Sequence, residues 1–241
     1  MTTPLPQPPP DRPAPTTPGP DATDSIIKAK MIAWLGGISM AVCLVIVGAP
    51  RVIHTCRGGG GRPEVITNIK QIGAILIEFD AEYGQFPDAS TATAVKASTS
   101  TPLSFGNTSS NDLFKQCLAG GGGKSEKPFW AKTAISPKKP DEIFSSDSTA
   151  LVKGECGFAY IAGLSVSDDP NTPVVMTSLL PGKLRFDPKA FDGKAVILLL
   201  DNTTRMLPIE KNGQVLIGGM DIFDPRQPFW KGKKPDVKWP E

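Results

Sequence analysis

Nineteen consecutive residues without a charge, MIAWLGGISMAVCLVIVGA from Met31 to Ala49, constrain this chain more than any other feature. At the helical rise per residue such a run covers about 30 Å, the hydrocarbon thickness of a bilayer. It predicts a transmembrane helix over residues 31–49, with Trp34 near one interface. A cleaved signal peptide fits less well, because the small pair Gly48–Ala49 runs straight into Pro50. Nine of the first 20 residues are proline, and such a stretch cannot bury enough apolar surface to offset its ordering entropy. Residues 1–30 therefore read as a disordered proline-rich tail. Residues 50–63, with the run RGGGGRP, read as a glycine-rich linker. That leaves residues 64–241, enough for one domain with its own core.

The strongest helical pattern follows the linker. Val65, Ile69, Ile72, Leu76, Phe79 and Tyr83 recur at steps of four and three, one continuous apolar stripe. Pro63 suits the first turn and Gly84 the C-terminal cap. Three heptads without flanking charge pairs are short for a coiled coil, so the stripe reads as a helix lying across a sheet. The Ser/Thr-rich stretch from Ala89 to Ser110 reads as a long loop, and NDLFKQCLA (111–119) as a short helix. Apolar segments follow around Lys127–Lys132, Gly157–Ile161 and Val174–Leu179. AVILLLD (195–201) and MLPIE (206–210) form the best strand pair, with QVLIGG (214–219) a further candidate. One helix followed by short antiparallel strands predicts an α+β fold.

Chemistry-bearing motifs fail on inspection. AGGGGKS, Ala119 to Ser125, approaches a phosphate loop, but the pattern needs glycine where Leu118 stands, and Pro128 breaks any following helix. GLSVS around Ser165 approaches a nucleophile elbow, with Ser167 where glycine is required. The single histidine, His54, adjoins the membrane run, so a Ser-His or Cys-His mechanism in the domain has no base. Histidine-based zinc sites are excluded likewise. Asp80, Glu82 and Asp88 cluster near the helix end, and Asp201, Asp221 and Asp224 sit in C-terminal turns. The last three are the calcium candidates, against the plainer reading as turn and cap residues. Cys117 and Cys156 form either a disulfide, if the domain faces an oxidising compartment, or two small buried thiols. No catalytic residue, cofactor or enzymatic activity is expected. With 26 Lys and Arg against 24 Asp and Glu and no basic face interleaved with aromatics, no nucleic-acid partner is expected either.

The segment NIKQIGAILIEFDAEYGQFPD, Asn68 to Asp88, resembles the helix-to-loop passage of type II secretion pseudopilins and type IV pilin-like proteins. Phe79, Tyr83, Gly84, Phe86 and Pro87 stand in that family's closing phrase. DLFKQCL with EKPFWAK, CGFAYIAGLS and AVILLLDNTTRMLPI resemble later landmarks of prepilin-type proteins abundant in Planctomycetes and Verrucomicrobia. The resemblance implies a pilin-like domain outside the cytoplasm, the N-terminus inside, and a single-pass inner-membrane protein. This orientation is not decided by charge, because Lys28 and Lys30 face Arg51, Arg57 and Arg62 across the run. The chain departs from the family in lacking a glycine followed by Phe-Thr-Leu-x-Glu, where a prepilin is cut, and in breaking the helix at Pro50 and Gly58–Gly61. A permanent anchor is therefore expected. The implied partners are membrane lipid and secretion or pilus-like proteins. A second expectation is an anchored module that binds a ligand through the Ser/Thr-rich stretch or Trp130, Trp230 and Trp239.

Overall fold

The long stripe folds as expected. The structure, a computed structural model, describes residues 61–177 and 179–241. The tail (1–30), the expected membrane segment (31–49) and all but the end of the linker lie outside the described residues. Helix α1 spans Arg62–Tyr83, so the last two residues assigned to the linker belong to its first turn. Pro63 causes this, since its fixed φ favours the first helical turn and its missing N–H has no partner to lose there. Gly84 ends the helix with φ 80°, and its N–H donates to the Asp80 carbonyl at 2.7 Å, a geometry that favours glycine. Val65, Ile69, Ile72, Leu76 and Phe79 are at most 1% exposed. Each fully buried aliphatic or aromatic side chain of this kind stabilises the fold by roughly 1.5–3 kcal/mol. Among the described residues no helix is long and apolar enough to cross a membrane.

The stretch 89–110 is not a loop throughout. Helix α2, Ala92–Thr99, forms inside it. Its start is organised by Asp88, whose Oδ1 accepts the Ser90 and Thr91 backbone N–H groups, and it buries a single large apolar side chain, Val95. Helix α3, Ser110–Gly120, carries a reciprocal cap: Ser109 Oγ accepts from Asp112 N at 3.2 Å, and Asp112 Oδ2 accepts from Ser109 N at 3.3 Å. Ser109→Ala removes one acceptor from this cap and is expected to cost about 1 kcal/mol, seen as a melting point roughly 2–4 °C lower.

Seven strands follow: β1 (Phe158–Ala162), β2 (Pro173–Thr177), β3 (Lys194–Leu199), β4 (Thr204–Pro208), β5 (Leu216–Ile217), β6 (Met220–Asp221) and β7 (Asp236–Lys238). Five form an antiparallel sheet in the order β4-β3-β2-β1-β7, and β5 pairs only with β6. The expected hairpin is β3–β4, with Val196 opposite Met206 and Ile197 opposite Arg205. The candidate strand at 214–219 is thus shorter than expected and lies outside the main sheet.

Alternation along the strands sorts side chains into two cores. Phe158, Tyr160 and Ala162 of β1, with Val196 and Leu198 of β3, join α1 and α3 in the first. Ala159 and Ile161, with Ala195, Ile197 and Leu199, join the second, which Val215, Ile222, Phe223, Phe229 and Trp230 close. Both sheet faces are covered, so β1, β2 and most of β3 are buried on every residue. The fold is α+β, with helices on one face and the C-terminal segment on the other.

Candidate functional site

Where α1 begins, it meets the turn that leads into β3. Phe191, Asp192 and Gly193 follow one another at φ 46°, 56° and 71°, a left-handed turn in which two residues carry side chains. Such backbone costs of order 1–2 kcal/mol per residue. Arg62 holds it: Nη2 donates to the Phe191 carbonyl at 3.1 Å and pairs with the Asp192 carboxylate. A cleft of about 480 Å³, lined by Lys132, Lys189, Leu179 and Pro181 among others, adjoins the pair. The sequence signal for this turn was the Asp192–Gly193 dipeptide, but nothing local announces Arg62 as its partner 130 residues away.

A second cleft, about 600 Å³, lies between the Ser/Thr-rich segment and the loop carrying Ile143 and Phe144. Thr99, Ser100 and Thr101 bring hydroxyls to it, and Leu103 and Leu118 bring apolar surface. Ile143 is 52% exposed. Of the three tryptophans expected to contact a ligand, Trp130 and Trp230 are buried, which corrects that reading. Their indole N–H groups donate internally, to the Ser136 and Ile222 carbonyls, and Trp239 donates to the Lys183 carbonyl.

The calcium candidates are engaged separately. Asp201 Oδ1 accepts from Thr203 N at 2.9 Å and from Thr203 Oγ1 at 2.6 Å, closing the β3–β4 turn. Asp221 accepts from Arg185 at 3.1 Å, Gln214 at 2.8 Å and Phe223 N at 3.0 Å. Asp224 is bound by Arg226, whose side-chain hydrogen bonds hold its carboxyl well below the usual range. Among the described residues no group of three His, Cys, Asp or Glu could hold a metal ion. Asp80 accepts from Val166 N at 3.1 Å, and Glu82 is exposed.

Cys117 and Cys156 are free thiols, both fully buried. Cys156 Sγ lies 3.6 Å from Ser110 Oγ at the start of α3. Cys117 is seven residues further along that helix, about 10 Å away by helical rise, so the bridge considered from sequence is not made. Burial pushes the Cys156 thiol up to about 11 and Cys117 higher still, which keeps both protonated. The glycine run at 119–125 closes α3 rather than opening a helix, and Ser165 sits in a turn with Ser167 and Asp168. Neither motif acquires the context its chemistry needs.

One residue was missed altogether. Glu126 is completely buried. Its Oε1 accepts from Leu151 N at 2.6 Å, while Oε2 is buried without a partner. Leu151 itself is held at φ 40°. Glu155, 4% exposed, accepts from Val152 N at 2.9 Å nearby. In sequence Glu126 stands between Ser125 and Lys127, which reads as surface, so no local signal could have found it. No protein-family model, curated protein or solved structure matches the chain.

Proposed function

We propose that this chain is a membrane-anchored, non-enzymatic protein of the cell envelope, accessory to a secretion or pilus-like assembly. In this reading residues 31–49 form a permanent single-pass anchor in the inner membrane. The proline-rich tail stays in the cytoplasm, and residues 61–241 form a pilin-like interaction module outside it. The observation that carries the reading is α1: an apolar stripe that begins within 13 residues of an uncharged 19-residue run and packs across an antiparallel sheet. The engagement of Asp201, Asp221 and Asp224 in a turn and two ion pairs is consistent with it.

Intact mass of the membrane-extracted protein, combined with protease access from the periplasmic side, tests the proposal. The expected result is an unprocessed N-terminus, a protected tail and a digested C-terminal domain. A chain beginning near residue 31, or a domain protected from outside, would sink it. The 600 Å³ cleft favours a second reading, an anchored ligand-binding module. A ligand that raises the melting temperature through this cleft, with the rise lost in Ile143→Asp, would move that reading ahead.

A further inference from the structure

We propose that Glu126 is a proton-operated latch: protonated, it holds the strand-free segment 130–157 closed, and ionised, it releases it. The segment is long and lacks a ladder of its own, so core packing of Ala131, Leu151 and Cys156 and scattered hydrogen bonds fix it. Gly157 N donates to the Phe129 carbonyl at 3.0 Å, and Gly154 N to the carbonyl of Glu241 at 2.6 Å. Asn111 of α3 donates to the Leu151 carbonyl at 2.8 Å and accepts from Glu241 N at 3.0 Å. Leu151 is packed in the first core, and Glu126 accepts its backbone N–H at a residue held in left-handed backbone.

The carboxyl is poorly provided for as an anion. One N–H donor serves two buried oxygens, and Oε2 has none. The charges that act on it, those of Glu155, Asp141 and Glu142, come from acids, and Lys138 acts on Glu155. As a neutral acid it keeps the Leu151 bond through its carbonyl oxygen, and Oε2 carries the proton at no charge cost. Burial accordingly pushes the Glu126 carboxyl up to about 7, against the opposing pull of the Leu151 N–H. The folded state then holds a proton that the released segment gives up, so closure is strongest below about 4.5, weakens as pH rises toward 7, and levels off above it.

Hydrogen exchange of the full-length chain reads the latch. The Leu151 amide is expected to lose roughly tenfold or more in protection factor between pH 4.5 and pH 7.5, at constant protection in β3. In Glu126→Gln, which keeps the acceptor and removes the charge, protection is expected to stay flat. Protection that is flat in the wild type, or that falls equally in Glu126→Gln, overturns the proposal. A carbon-13 titration of the wild-type Glu126 carboxyl gives an arm independent of the variant. A midpoint near 7 supports the latch, and one at the ordinary carboxylate value overturns it.

Discussion

Gly157→Ala is expected to lower the melting temperature of the full-length chain by roughly 10 °C, from a loss of about 3 kcal/mol or more. Gly157 sits just before β1, and its N–H bonds to the Phe129 carbonyl. A Cβ here would lie 2.6 Å from Ala131 N and 2.7 Å from Ala131 Cβ, and closer still to the Ala131 carbonyl oxygen. Two of those three atoms are backbone and the third is fixed to it, so nothing local can rotate away. Gly122 is the control. A Cβ there would meet Glu78 Oε2 even more closely, but that oxygen ends an exposed, flexible side chain. Gly122→Ala is therefore expected to change stability by less than about 0.5 kcal/mol. Thermal melts of both variants decide the matter. Equal effects would mean that the packing of 129–131 against 157 is looser than the structure has it.

The contrast also shows what was legible in sequence. The α1 stripe could be read because its period, Pro63 and Gly84 all point to one helix, and local and tertiary preferences agree. The β3–β4 hairpin was readable for the same reason, two aliphatic runs around Asn202 and two threonines. α2 was not, because Ala-Thr-Ala-Val-Lys-Ala offers one apolar anchor, Val95, and the rest of its sequence is Ser/Thr-rich. β7 is three residues, Asp-Val-Lys, among prolines and lysines, and becomes a strand only because β1 offers it an edge, with Val237 opposite Ile161. The second core was hidden similarly. Phe223, Phe229 and Trp230 lie between turn residues, and only the outward-facing halves of β1 and β3 give them something to cover. Glu126 is the extreme case: its hydrogen-bond donor, Leu151 N, lies 25 residues away, and its immediate neighbours in sequence read as surface.

Phe114→Ala is expected to produce a loss of similar or greater size, roughly 3–5 kcal/mol, and a melting point lower by 10 °C or more. Phe114 is fully buried in α3. Its ring stacks on Phe129 at 4.7 Å between centroids and lies 5.3 Å from Tyr160 of β1. It therefore joins three elements that no ladder connects: α3, the turn at Lys127–Phe129 and the sheet. Tyr160 is constrained from its other end, where its hydroxyl donates to the Pro87 carbonyl at 2.9 Å. Little in this corner can move to fill the space, so the cavity contribution is near its upper range. Phe114→Leu restores much of the volume and loses the ring geometry, and is expected to recover more than half of the loss. A double-mutant cycle with Phe129→Leu isolates the stacking, with an expected coupling of roughly 0.5–1.5 kcal/mol. A cycle that closes additively would assign the whole effect to buried volume and none to the ring geometry.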